Sequence, residues 1–253
     1  MNLTADKLTI TINGKTLVDK LNLVVQPGDL ICMLGTNGVG KSLTLHTLAG
    51  LRQPASGSIL INNPPLQSLS RREIARSLGL LLQIHEDAFP LTVQESALLG
   101  RYPHMGLWQW PGAADMEIVN KALRAFDLAG LEKRALENLS GGERERVALA
   151  TLMVQDPAVW LLDEPLNHLD PQHQLEVLRL LKNRAQEGRG ILASMHNPGL
   201  ARRFADKALL LYGDGDWEFG PVTDVLEPDR MERLYNTPFK HFSSGDQVTL
   251  LPV

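Results

Sequence analysis

The sequence predicts an α/β fold: a parallel sheet flanked by helices, joined to an antiparallel β portion and an inserted α-helical subdomain. Three observations lead there. Short apolar runs bounded by turn residues (Asp29–Leu34, Val159–Asp163, Gly190–Met195, Ala208–Tyr212) alternate with helix-like segments, as a parallel sheet covered on both faces requires. Leu8–Ile12 and Leu21–Val25 alternate with period two around Asn13-Gly14, which signals a hairpin. From His85 to Val154 the chain carries helix caps and apolar helix faces but no clear strand. Residues 85–154 are therefore expected to form the insertion, and 1–84 with 155–253 the core of a single domain.

Of 253 residues, 43% are hydrophobic, enough for a large core. A net charge of −4 leaves no electrostatic footprint for nucleic acid. The one cysteine, Cys32, lies in an apolar run, so no internal disulfide can form, and a reducing compartment fits. The N-terminus shows no signal pattern, and no apolar run approaches the ~20 residues of a membrane span. Any membrane role is expected to come through a partner.

In chain order, Asp29–Leu34 leads into Gly35–Ser42, and Leu43, Leu45 and Leu48 continue as a helix stopped at Gly50. Ser58–Asn62 extends the antiparallel portion, and Leu78–Leu82 is a buried strand ending at Gln83. Thr92-Val93-Gln94-Glu95 reads as a capping box, and Arg101–Gly112 as an aromatic loop. Ile118, Ala122 and Phe126 mark one face of a helix that stops by Gly130. Ser140-Gly141-Gly142-Glu143 opens a helical run from Arg144 to Val154. Asp170-Pro171 starts a helix lined by Leu175, Leu178 and Leu181. His168 and His173, separated by Pro171, share no helix face and read as surface or interface residues rather than a metal pair.

Gly35–Ser42 fits G-x-x-x-x-G-K-[ST] between a strand and a helix, which makes the predicted sheet a P-loop NTPase core. Glycine lets backbone approach triphosphate oxygens closely, and successive N–H groups form an anion nest at the helix start. Lys41 is placed to reach the β- and γ-phosphates, and Ser42 to hold Mg²⁺. Asp163-Glu164 closes an apolar strand, where carboxylates face the ligand crevice of a parallel sheet. Asp163 is expected on Mg²⁺, and Glu164 as the base that deprotonates an attacking water. Ser140–Glu143 reads as a second anion-binding helix end or as a plain cap. On a separate helical subdomain it would not reach its own chain's phosphate loop, so a second copy is its expected client.

GTNGVGKS, Gln83, LSGGE, VWLLDEP and His196 in ASMHN stand in an order and spacing that resemble the nucleotide-binding subunit of an ATP-binding cassette (ABC) transporter over essentially the whole chain. The resemblance implies ATP and Mg²⁺ as ligands. It places Gly35, Thr36, Asn37, Gly38, Val39, Gly40, Lys41, Ser42 and Leu43 around the phosphates. Ser42, Gln83 and Asp163 fall at the metal, and Glu164, Gln83 and His196 in catalysis. Ser140, Gly141, Gly142 and Glu143 (glutamine is more usual at the last) are assigned to the γ-phosphate of ATP held by the partner. Asp170 belongs to the LNHLD loop and also suits a helix N-cap. Ile12 stands where an aromatic usually stacks on adenine, and Leu43 where threonine is usual, which implies a weaker hold on nucleotide.

Thr92–Leu107, above all Gly100–His104, is similar to importer ATPases for iron-siderophore, haem and cobalamin. Trp108 and Trp110 are expected to pack the subdomain or meet a permease. The partners implied are a second copy, membrane permease subunits and, indirectly, a substrate-binding protein, but no nucleic acid. The place implied is the cytoplasmic face of a bacterial inner membrane, held there by the permease. An ATPase of another import or export system, or a soluble non-transport ABC protein, is the alternative.

Overall fold

The computed structural model describes residues 1–82, 90–106, 108–244 and 247–253. Strands β1 (Leu3–Ile12) and β2 (Lys15–Val25) form a hairpin longer than the alternation alone marked. It reverses at Asn13 (φ 48°) and Gly14 (φ 79°), the paired positive φ of a type I′ turn. Strand β3 (Leu30–Leu34) runs into helix α1 (Lys41–Leu48). Strand β4 (Ser56–Ile61) pairs antiparallel with β1, giving a sheet of order β2-β1-β4.

Helix α2 (Arg71–Ser77) precedes β5 (Leu78–Leu81). Its signal was the capping box Ser70–Glu73, which the apolar pattern does not reveal. The stretch expected to be the insertion carries α3 (Val93–Leu99), α4 (Ala113–Ala125) and α5 (Gly141–Gln155). Thr92 caps α3 through the expected reciprocal bonds with Glu95. On α4 and at its C-cap, Ala122 and Phe126 are buried as expected, together with Val119 and Leu123, whereas Ile118 is exposed. Trp108 and Trp110, 95% and 88% exposed, do not pack the subdomain.

The chain then gives β6 (Val159–Leu162), α6 (Pro171–Gln186), β7 (Gly190–Ser194), α7 (Pro198–Phe204), β8 (Lys207–Leu211) and β9 (Trp217–Pro221). Helices α8 (Val222–Val225) and α9 (Pro228–Tyr235) and the hairpin β10 (Phe239–Ser244)–β11 (Gln247–Pro252) complete it. The main sheet has order β5-β6-β7-β3-β8-β9, parallel except for the edge strand β9. Its central strands are buried on both faces, which is why they read as continuous apolar runs. Leu30, Cys32 and Leu34 enter one core with the helices, whereas Ile31 and Met33 enter a second core against the antiparallel sheet. Burial pushes the Cys32 thiol far up.

Helices α2, α4 and α5 and the run after α3 are joined by polar contacts as well as by packing. Arg72 and Arg76 of α2 donate to the Pro103 carbonyl (2.9 and 2.7 Å), and Arg72 also reaches the Met105 carbonyl. Arg101 pairs with Asp115 at 2.8 Å, and the His104 imidazole lies 2.8 Å from the Gln155 carbonyl. Gln155 in turn donates to the Ala75 and Leu78 carbonyls. The Gly100–His104 run is thus a strut between α2, α4 and α5.

One buried group sets a stability prediction. Glu145 on α5 is 4% exposed, and burial pushes its carboxyl up to about 8. The folded pKa lies above the unfolded one, so stability is full below the ordinary carboxylate range and is lost as pH rises through the folded value. Glu145→Gln removes that loss. Its stability gain over the parent should be small at pH 5 and grow toward pH 8, with a ceiling of about 5 kcal/mol at 1.36 kcal/mol per pKa unit, and Tm should rise with it. Melting curves at the two pH values check this; a gain that does not change with pH contradicts it.

Candidate functional site

The phosphate loop hangs between the C-terminal end of β3 and the first turn of α1, at the carboxyl edge where ligands of such sheets bind. Gly38 (φ 80°) and Gly40 (φ 110°) hold left-handed backbone that other residues adopt only with strain. A Cβ at Gly35 would come 2.7 Å from the Leu211 carbonyl oxygen and from a Val39 methyl. The Lys41 ammonium is buried and donates to the Gly35 and Thr36 carbonyls at 2.9 and 3.2 Å. Burial pulls its pKa down, opposed first by the charge of Glu164 and then by that of Asp163. A cation caged by its own loop and facing two carboxylates is ready to change partners when phosphate oxygens arrive.

Asp163 and Glu164 follow β6 directly, and β7 aligns Ala193 with Leu162. The next residue on β7, Ser194, therefore lies beside Asp163. Its hydroxyl donates to Asp163 Oδ1 at 2.8 Å and accepts from the Glu164 N–H at 2.8 Å. Glu164 holds a left-handed φ of 54°, which turns its side chain away from the strand direction. Its Oε1 lies 2.6 Å from His196 Nε2, and its Oε2 accepts from the Asn167 amide. Ser194 and Asn167 have no motif of their own; only the strand order and the tight loop after Glu164 reveal them. Ser194→Ala removes both bonds to the pair and should lower stability by about 1–3 kcal/mol and slow turnover. Unfolding curves and turnover on the same preparation check it; parental values for both contradict it.

Ser140 is the N-cap of α5, with its hydroxyl accepting from the Glu143 N–H at 3.2 Å and Glu143 Oε2 accepting from the Ser140 N–H at 2.7 Å. The Ser140 N–H, and after it the Ser140 hydroxyl, hold the Glu143 carboxyl below its usual range. The plain-cap role is therefore present whatever else the segment does. Asp170 likewise caps α6, accepting from the His173 N–H at 2.9 Å and facing the His173 ring at 2.8 Å. The two caps are neighbours. Ser140–Glu143, His168, Asp170 and His173 line one open groove. A Cβ on Gly142 would meet the His168 carbonyl oxygen at 2.8 Å, so the bare backbone of Gly142 is what lets the loop after Glu164 lie against α5. Both histidines belong to this groove, and no cluster of three or more metal-ligating side chains occurs among the described residues.

Gln83 lies outside the described residues. Ile12, at the end of β1, is partly buried against the second core, as is Leu43. For Mg²⁺ the available donors are the Ser42 hydroxyl and the buried Asp163 carboxylate, hard oxygen ligands of the kind that ion takes alongside phosphate.

The sequence model described as "ABC transporter" matches residues 18–167. The hemin import ATP-binding protein HmuV of Nocardia farcinica is 36% identical over 94% of this chain and 83% of its own length. The achromobactin transport ATP-binding protein CbrD of Dickeya dadantii is 33% identical over 92% of this chain and 87% of its own. Among solved structures, a metal-chelate type ABC transporter in an inward-facing conformation superposes with a TM-score of 0.86 at 27% identity, covering 99% of this chain and 97% of that one.

Proposed function

This chain belongs to the ABC transporter family, and on that premise we propose that it hydrolyses ATP to drive import of an iron-siderophore, haem or cobalamin-type substrate through a membrane permease. ATP hydrolysis follows from the family; the cargo class rests on the relatives' names and on the Gly100–His104 strut. The observation that carries the chemistry is Glu164 poised between His196 and Asn167, with Ser194 fixing its backbone beside Asp163.

ATP phosphates would lie on the N–H groups of Gly35–Ser42 with Leu43 following, and the Lys41 ammonium would leave the loop carbonyls for the β- and γ-oxygens. Ser42 and Asp163, with Gln83, would hold Mg²⁺, which neutralises charge on the phosphate oxygens. Glu164 would take a proton from the attacking water, and His196, whose Nε2 lies 2.6 Å from Glu164, would orient that carboxylate and face the γ-phosphate.

The second half of the site comes from another copy. The Ser140–Glu143 end of α5, with the Asp170 loop packed against it, presents backbone N–H groups and the positive end of a 15-residue helix. Two chains closing head-to-tail would place each such end on the γ-phosphate held by the other. ATP shifts the pair toward closure only by binding the closed state more tightly, and the permease follows. No helix among the described residues is long and apolar enough to cross a membrane. Attachment through permease subunits at the cytoplasmic face of a bacterial inner membrane is the reading that fits, with exposed Trp108 and Trp110 free for that contact and a substrate-binding protein delivering cargo. The test is uptake into vesicles carrying the complex: ATP-dependent accumulation of a haem or ferric chelate supports the proposal, and uptake that is indifferent to ATP contradicts it.

A further inference from the structure

A cavity of about 350 Å³ opens between the α1–β4 connection and α2. None of the residues placed above at the phosphates, the metal or the α5 end lines it. Arg52 and Arg71 face it together with Gln67, over an apolar floor that includes Ile59, Leu66 and Ile74. No aspartate or glutamate is among its lining residues, although the chain as a whole carries a net charge of −4. Its walls are closely built. A Cβ at Gly50 would meet a Leu66 methyl at 2.7 Å, and one at Gly57 would meet the Lys7 carbonyl oxygen at 2.3 Å. Arg52 donates one N–H to the Thr11 carbonyl at 2.7 Å, which holds its guanidinium in place and leaves other donors for a ligand. Arg71 has no ion pair or hydrogen bond among the described residues.

Two guanidiniums without a carboxylate partner, set above an apolar floor in a space of ligand size, select one chemistry. We propose that this cavity binds a small organic anion with an apolar body, its carboxylate, sulfonate or phosphate taken by Arg52 and Arg71 and its hydrocarbon laid on Ile59, Leu66 and Ile74. The site lies on the helix that grips the insertion. Arg71 is followed on α2 by Arg72 and Arg76, which hold the Pro103 carbonyl. An occupant tied to Arg71 therefore braces the strut from the core side.

The probe is 1-anilinonaphthalene-8-sulfonate, an aromatic sulfonate of suitable size, titrated by fluorescence against the full chain carrying Glu164→Gln with saturating Mg-ATP, so that the nucleotide site is filled. Expected is saturable binding of one probe per chain, weakened at least tenfold by Arg71→Glu, and slower amide exchange over residues 101–106 when the probe is bound. Arg71 lies on the exposed first turn of α2, and ATP turnover of the single Arg71→Glu variant reports that the fold is intact. Probe binding that survives Arg71→Glu, or that vanishes when Mg-ATP is added, overturns the site. Unchanged exchange over 101–106 overturns the bracing.

Discussion

Glu164→Gln should lower ATP turnover by about 10²–10⁴-fold, the range expected when a positioned general base is lost. The substitution keeps the shape of the side chain and the Ser194 bond to the Glu164 N–H, so the fold and the phosphate loop should stand. What is lost is an acceptor for the water's proton, 2.6 Å from His196. Binding and closure do not need that acceptor. The variant should therefore accumulate as an ATP-loaded pair of chains, seen as a doubled mass in gel filtration with ATP and not with ADP. Turnover close to the parent would remove Glu164 from the role of base.

Gly142→Ala is the second large effect, and it arises on the other half of the proposed site. The added Cβ would stand 2.8 Å from the His168 carbonyl oxygen, closer than real contacts allow, so the backbone must move. His168 already holds a left-handed φ of 60°, and Leu169 and Asp170 follow it into the cap of α6. A shift there misplaces both Ser140 and Asp170 where they would meet a partner's nucleotide. A displacement near 1 Å at a reacting group costs on the order of 10²-fold in rate, and that is the loss expected in turnover. Binding of ATP by the single chain, which uses Gly35–Ser42, should stay within about twofold of the parent. A variant that loses ATP binding together with turnover would place Gly142 in the fold and not in a shared site.

Most of the candidate site was legible because its motifs are written in local spacing. Gly35–Ser42, Asp163-Glu164 and Ser140–Glu143 each announce themselves within eight residues, and each lies where a strand or helix end was expected. The parts that were not legible depend on who sits beside whom. Ser194 became meaningful only when β7 was found next to β6 in register, and Asn167 only when the loop after Glu164 folded back. The groove shared by Ser140 and Asp170 requires the packing of His168 on the glycine pair, which no pattern in the chain encodes. The outer elements were missed for a different reason. Helix α2 is short and signalled by its cap rather than by an apolar face, and Ile118 looked like core on a period-four count although Val119 and Leu123 take that side. The long hairpin was cut short because bulges at Lys7 and Lys20, both with positive φ, interrupt the alternation of β1 and β2.

The shared-nucleotide site is tested most directly by a crystal structure of the Glu164→Gln protein grown with Mg-ATP. Expected is a two-fold pair in which the Ser140 hydroxyl of each chain lies within about 3 Å of a γ-phosphate oxygen cradled by Gly35–Ser42 of the other. If ATP fills the phosphate loop and Ser140 stands away from every phosphate in every pair of chains, hydrolysis is completed within one molecule and the head-to-tail motor is contradicted.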